Sequence, residues 1–267
     1  MLKKYCSLIV LVGGLLFAQT NDLQKNKINH NPKSIEESNT KAVIKANIVE
    51  EYLQEYYTKT AYNTAGNIKN VDFYNESGDL VFTENYFYND NLLSKVEGNN
   101  PDESFIILKE YEYFDGGYKE ITSENDVIVK EIVFTTNNKN ITAEKEINMI
   151  NNQMIERNYE YLGNNLKQTT IKYGKDGNII QYKYDDLNLP IEEVIYDLKN
   201  NLISKKRRKF DENKNIIEEN LFDNNGRLKT NNRIKYQYDD YKNWIKRTQY
   251  ANTIEEPISN STRTIRY

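Results

Sequence analysis

One short unit recurs along most of the chain and limits what it can fold into. It consists of an aromatic, usually an Asp, a turn-forming stretch ending in Asn, Gly or Asp, and then a large apolar residue. It reads YNESGDLV from Tyr74, YGKDGNII from Tyr173, YDLKNNLI from Tyr196, FDENKNII from Phe210, FDNNGRLK from Phe222 and YDDYKNWI from Tyr238, with a shorter YDDLNLP from Tyr184. Aromatics at 173, 184, 196, 210, 222, 238 and 250 lie 11 to 16 residues apart, the length of one strand plus one turn. Long helices are incompatible with punctuation this frequent.

Each part of the unit has a physical job. The aromatic ends a strand; Asp, Asn and Gly supply side-chain-to-backbone hydrogen bonds and left-handed backbone angles; the apolar residue opens the next strand. Between the turns, period-two alternation puts Ile180, Tyr182 and Tyr184 on one face, and likewise Ile234, Tyr236 and Tyr238, or Thr169, Ile171 and Tyr173. Weaker copies run from Phe105 to Tyr113, Val127 to Phe134 and Ile155 to Tyr161. The 39 asparagines suit many turns, and Pro190 and Pro257 fall at or near them. The expected fold is all-β: a repetitive antiparallel β-meander of roughly a dozen short strands over residues 71–267, in an extended or spiralling sheet. Tyrosine, at 22 residues, does much of the burial that aliphatic residues do elsewhere.

The units YDDLNLP, YDLKNNLI, FDENKNII, FDNNGRLK and YDDYKNWI resemble the YD repeats of RHS-repeat proteins, clearly over residues 159–267 and more weakly back to 71. The closing YQYDDYKNWIKRTQY and TRTIRY are similar to the ends of small secreted or surface proteins of that repeat type from Bacteroidetes-like bacteria. The resemblance implies an extended antiparallel sheet and export. The chain departs from the pattern where Lys214 and Lys242 replace the usual turn Gly, and it shows no separate toxin domain.

Residues 1–18 read as a secretory signal peptide. Lys3 and Lys4 precede an apolar run from Cys6 to small Ala18, after which cleavage is expected. Cleavage removes the only Cys, and with it any disulfide, thiol nucleophile or Cys-ligated metal. It leaves 34 basic against 40 acidic groups, a net charge of −6 that disfavours generic nucleic-acid binding. Residues 19–40 are polar and read as a flexible arm. Within 41–70, Ile44, Ile48, Val49, Tyr52, Leu53, Tyr56 and Tyr57 recur at helical spacing and predict one short N-terminal helix with a linker, although alternation from Ala42 to Ile48 also fits a strand.

Few residues invite chemistry. The pairs Asp185 with Asp186 and Asp239 with Asp240 lie in turns, where Asp is selected for backbone hydrogen bonds rather than acid–base work. His30 is the only imidazole and sits in the arm, which argues against Ser-His-Asp and multi-His zinc chemistry. Lys205, Lys206, Arg207, Arg208 and Lys209 form a candidate anionic-ligand patch. Glu192, Glu193, Glu218 and Glu219 on the flanking strands are placed to pair with it instead. Trp244, Arg247 and Tyr250 form a candidate ligand-contact group, since flat aromatic faces complement sugar C–H faces. Trp244 also occupies the slot held after other turns by Leu202, Ile216 and Leu228. No cofactor or metal is expected. The expected function is that of an exported, non-catalytic binding or scaffold protein, secreted, periplasmic or at the cell surface, with a glycan or another surface protein as partner and self-association through exposed sheet edges. The rivals are a secreted carbohydrate-active hydrolase using Asp and Glu, and a toxin-associated or immunity partner.

Overall fold

The computed structural model describes residues 21–45, 48–137, 140–251 and 254–267. The expected signal peptide lies outside the described residues. A single turn of helix, α1 (Asp22–Lys25), precedes eighteen strands. The first two are β1 (Ser34–Lys45) and β2 (Ile48–Tyr62), followed by β3 (Ile68–Tyr74), β4 (Leu80–Asn89), β5 (Leu92–Asn99) and β6 (Ile106–Phe114). Next come β7 (Gly117–Glu124), β8 (Val127–Asn137), β9 (Asn140–Asn148), β10 (Met154–Leu162), β11 (Asn165–Tyr173) and β12 (Asp176–Tyr184). The last six are β13 (Pro190–Asp197), β14 (Leu202–Phe210), β15 (Ile216–Asp223), β16 (Leu228–Tyr238), β17 (Trp244–Ala251) and β18 (Pro257–Arg266).

Every strand pairs antiparallel with its neighbours in sequence, and β1 pairs on one side with β2 and on the other with β18. Ser34 stands opposite Ala61 in one ladder and Arg266 in the other. The sheet is therefore a closed barrel, where the sequence predicted an open or spiralling sheet. Closure also removes the edges through which self-association was expected, since each of the eighteen strands has two partners. Followed around the ring, the register returns to β1 displaced by about 20 residues, which for strands about 4.8 Å apart gives a tilt of about 40° and a backbone radius of about 17 Å. Inward side chains then leave an opening of roughly 20 Å, in keeping with barrels of this strand number.

The packed interior is correspondingly sparse. Among the described residues, buried apolar side chains form two clusters, Leu23 with Ile28 and Ile35, and Tyr118 with Ile132 and Phe134. Tyr118 stacks on Phe134 with ring centroids 4.4 Å apart.

The segment expected as a helix, within 41–70, forms β1 and β2 instead. Its tyrosines and β-branched residues suit a pleated surface, and the tertiary reward is decisive: without these strands β3 and β18 would each present an unpaired edge. The expected flexible arm, 19–40, contributes α1 and the start of β1. Asn21 caps α1 by accepting from Gln24 N at 2.9 Å, and the Gln24 side chain accepts from Asn21 N at 3.1 Å.

The recurring unit has a defined geometry. At Asn63, Asn75, Asp185, Asp197, Asp211, Asp223 and Asp239 the same five-residue turn forms: the N–H of the first residue donates to the carbonyl of the fifth, and the N–H of the fourth donates to the carbonyl of the first. The first side chain accepts from the backbone N–H of the fifth, as Asp197 does from Asn201 at 2.8 Å. The fourth residue has positive φ, and it is Gly at 66, 78 and 226, Asn at 188 and 200, and Lys at 214 and 242. The unit at Tyr173 differs, closing as a tighter hairpin in which Tyr173 faces Asp176 directly.

Lysine carries a Cβ into a conformation that glycine enters freely. Lys214→Gly and Lys242→Gly are each expected to stabilise the barrel by about 0.5–1 kcal/mol, read as a higher thermal midpoint. Unchanged or lowered midpoints in both variants would contradict this account of the turn.

Candidate functional site

Alternation assigns the strand residues to two faces, and the ladders carry each face around the whole ring. One face holds Tyr56, Tyr86, Tyr111, Tyr159, Tyr182 and Tyr236 with a middle layer of charged groups. The other holds Lys59, Lys145, Lys172, Lys183, Lys205 and Arg233. The segment following Asn21 shows which face is inside. Leu23, 1% exposed, packs on Ile35, Tyr62 and Ile265. Asp22 accepts from Tyr88 Oη at 2.8 Å and from Ile68 N at 2.9 Å. A few residues later Lys27 Nζ reaches the carbonyl of Lys214, and the Asn29 backbone N–H donates to Asn243 Oδ1 at 2.8 Å. So short a segment joins β4 to the β14–β15 and β16–β17 turns only as a chord across the mouth. The face it touches, the tyrosine-rich one, lines the lumen. Residues 22–29 thus form a strap over one end, on the side where the even-numbered strands finish.

Tyrosines ring this strapped end. The hydroxyls of Tyr113, Tyr161, Tyr184 and Tyr236 donate to the carbonyls of Leu93, Ile141, Leu166 and Ile216, near the start of the preceding strand, at 2.8–3.2 Å. Below them lie carboxylate–tyrosine and carboxylate–arginine contacts. Tyr86 donates to Glu84 at 2.8 Å; Arg157 meets Glu144 and Glu146 while Tyr159 donates to Glu144 at 2.8 Å; Arg208 bridges Glu219 at 2.9 Å and Glu193 at 3.2 Å. Burial, and secondarily the facing carboxylates, push the phenols of Tyr86, Tyr111 and Tyr118 far above their ordinary range. Burial alone pushes Tyr113 up to about 12. The lumen wall is therefore a layer of neutral phenols above and between paired charges.

The structure divides the predicted ligand-contact group. Trp244 and Arg247 face the lumen, whereas Tyr250 lies on the outer wall beneath Lys235 Nζ, 5.2 Å from its ring centroid. Trp244 begins β17 directly after its turn, in the same slot as Leu202, Ile216 and Leu228. The Arg263 guanidinium covers one face at 3.5 Å, and Tyr236 meets the ring edge-on at 6.4 Å.

The basic strand is divided too. Lys205, Arg207 and Lys209 point outward, and Lys206 and Arg208 inward. Arg207 pairs with Glu192 at 2.8 Å and Lys209 with Glu218 at 2.8 Å, outside, and Arg208 with Glu193 and Glu219, inside. The bonds from Lys183 and Arg207 hold the Glu192 carboxyl below its usual range, and those from Lys209 and Asn220 do so for Glu218. An outer groove of about 530 Å³ runs over Glu192, Arg207, Lys209, Glu218 and Phe222, so an incoming anion there has to displace a glutamate. Asp185 and Asp239 accept from backbone N–H groups of their own turns. His30 is exposed and lies against Tyr241, ring centroids 4.0 Å apart.

Sequence reasoning missed the strap and the side of the wall on which each charge stands. The strap left one signal, the Asn21–Gln24 capping box; the pairing of Arg208 with Glu193 and Glu219 was expected, but its lumen side left no signal, because inward and outward charges alternate along the same strands.

The fold is thus an eighteen-stranded, antiparallel, hollow β-barrel with a tyrosine-lined wall. No family model matches the chain, and no curated protein matches it. Similar solved structures include a porin-like protein from Bacteroides uniformis, 12% identical over 88% of this chain and 96% of that one, with a TM-score of 0.48. A porin-like protein from Bacteroides vulgatus is 11% identical over 87% and 97%, with a TM-score of 0.42. A chain of the TcdB2-TccC3-Cdc42 structure is 12% identical over 79% of this chain but only 14% of that one, with a TM-score of 0.33. The resemblance to YD repeats therefore rests on the turns themselves and not on a family match.

Proposed function

We propose that this chain is an exported, water-soluble, non-catalytic binding protein that holds a glycan against the tyrosine-lined wall of its lumen. The observation that carries this reading is the lumen wall itself: ring faces of neutral tyrosines on β2, β4, β6, β10, β12 and β16, interleaved with fixed hydrogen-bonding groups, on a scaffold too wide to close over a small reactant. Polysaccharides present alternating C–H faces and hydroxyls, which this wall complements.

Water solubility is argued from charge. A nine-residue strand at this tilt rises about 23 Å, near the height of a lipid-spanning barrel. A spanning barrel needs an apolar outer band, and each outward Lys or Arg at the bilayer midplane costs about 2–4 kcal/mol. Here mid-strand charges occupy both faces, Lys145, Lys205 and Arg207 on one and Glu144, Arg157 and Arg208 on the other. The protein is expected to stay in solution without detergent after export. Recovery only in detergent-solubilised membranes, with strands protected from aqueous exchange, would overturn the soluble reading.

The non-catalytic reading is supported by the carboxyls. A glycosidase needs one acid raised toward neutrality. The carboxyls with displaced titration, Asp102, Glu192, Asp197, Glu218 and Asp223, are all displaced downward. A glycan-array screen of the purified protein tests the proposal. Retention of a saccharide series, lost on replacing lumen tyrosines such as Tyr182 and Tyr236 by Ala but not outward Tyr250, is the expected result. Release of reducing ends from a bound glycan would instead establish the hydrolase reading.

A further inference from the structure

We infer that Arg247 anchors a subsite in the lumen for a carboxylate-bearing saccharide, a uronic-acid type of residue within a glycan; this rests on the glycan reading above and narrows it. Among the described residues four arginines that face the lumen can be compared, and three are matched to carboxylates. Arg157 meets Glu146 at 3.0 Å as well as Glu144; Arg208 meets Glu219 and Glu193 at 2.9 and 3.2 Å; Arg263 Nε donates to Glu37 at 2.7 Å. Arg247 is the exception: among the described residues no carboxylate lies within 4.0 Å of it. Its Nε is buried without a hydrogen-bond partner, and its Nη2 makes a long contact of 3.4 Å to Gln249 Oε1. A desolvated, unpaired N–H on a guanidinium costs stability.

The neighbours explain why no internal partner reaches it. Arg247 stands between Tyr236 on β16 and Ser261 on β18. Ser261 Oγ is committed to Asn39 Oδ1 at 2.6 Å, and Glu37 already accepts from Arg263 and from Tyr56 Oη at 2.7 Å. Glu37 is therefore taken up by Arg263 and Tyr56, Glu55 is committed to Asn39 Nδ2 at 2.5 Å, and the Arg247 guanidinium is left on the lumen wall without a carboxylate contact. The planar guanidinium fork is matched to a carboxylate, which it binds through two parallel N–H groups. The aromatic neighbours point to a sugar as the bearer of that group. Tyr236 and Tyr238 stack with centroids 6.0 Å apart, and Trp244 adds its edge, so a ladder of rings lies along the same wall. On the outer basic strand, by contrast, Glu192 and Glu218 occupy the positions an anion would need.

Calorimetric titration of the purified protein with hexagalacturonate, maltohexaose and poly-glutamate at one ionic strength tests the subsite. Hexagalacturonate is expected to bind at least about tenfold more tightly than the other two, the size of one charge-assisted bidentate contact. Arg247→Gln is expected to abolish that preference while leaving maltohexaose binding and the melting temperature unchanged or the latter raised; Arg247→Lys, which keeps the charge but not the fork, restores only part of it. Lys209→Gln on the outer wall is expected to change nothing. If hexagalacturonate and maltohexaose bind alike, or Arg247→Gln keeps the preference, the subsite is wrong and the glycan reading stands. Equal binding of poly-glutamate removes the saccharide commitment. Failure of every saccharide to bind removes the glycan reading and the subsite with it.

Discussion

Replacing Arg157 by Met is expected to destabilise the barrel by about 2–3 kcal/mol, a fall of roughly 4–12 °C in thermal midpoint for a chain of this size. Arg157 holds Glu144 and Glu146 together, and Glu144 also accepts from Tyr159. The Glu144 side chain is only 8% exposed, so without the guanidinium two carboxylates are left facing each other with little water to screen them. Adding Glu144→Gln to the Arg157→Met variant removes one of the stranded charges and is expected to recover a substantial part of the loss. A loss below about 0.5 kcal/mol for Arg157→Met would mean that lumen water solvates these carboxylates freely, and the paired-charge account of the wall would fail.

Raising the pH is expected to unfold the barrel in a cooperative step well above pH 10, with tyrosinate absorbance appearing together with loss of strand circular dichroism. Burial pushes Tyr62, Tyr113 and Tyr238 up to about 12, and carries Tyr86, Tyr88, Tyr111, Tyr118 and Tyr159 higher still. In the unfolded chain these phenols lose their protons near 10, while in the barrel they keep them. The stabilisation from neutral tyrosine is therefore fully present below pH 10 and drains away as pH rises through 10 to 12 and beyond. For well-buried Tyr62 alone a displacement from 10 to about 12 is worth about 3 kcal/mol, and several such residues act together. Smooth, non-cooperative ionisation of all tyrosines near pH 10 with the strands intact would show that the tyrosine-rich face is open to bulk water, and the assignment of that face to a crowded inner wall would be wrong.

The two experiments test one structural idea, the first through the paired charges of the wall and the second through its neutral phenols. A barrel this wide cannot fill its centre with side chains, so its stability has to be built within the wall, between residues on adjacent strands. Tyrosine serves that purpose because its ring buries area against a pleated neighbour while its hydroxyl satisfies a carbonyl or carboxylate one strand away. The same wall then faces the water of the lumen without further adaptation.

What was legible in advance followed the length scale of the signal. The five-residue turns at Asp197, Asp211 and Asp223 are complete within their own sequence: acceptor, left-handed residue and following apolar residue are all local. The cross-strand ion pairs of Arg207, Arg208 and Lys209 with Glu192, Glu193, Glu218 and Glu219 were readable because a meander fixes which strands are neighbours. The opposite faces of Arg247 and Tyr250, three residues apart, follow from alternation, but the placing of Trp244 on the Arg247 face was not legible, because a β-bulge at Ile245 resets the alternation between those two, and bulges have no reliable local signature.

The N-terminal segment marks the boundary between the two kinds of information. Its heptad-like spacing of apolar residues was compatible with a helix or a strand, and nothing nearby chose between them. The choice was made by β18, more than two hundred residues away, whose free edge β1 covers from Ser34 opposite Arg266 to Lys41 opposite Ser259. The sequence alone determined that this protein is a succession of hairpins with a tyrosine-rich face, since turn chemistry and period-two alternation act over a few residues. Only the tertiary structure decided that the succession closes into a ring, which face became the lumen, and that residues 22–29 cross its mouth, because closure is a contact between chain ends and leaves no trace in any local stretch.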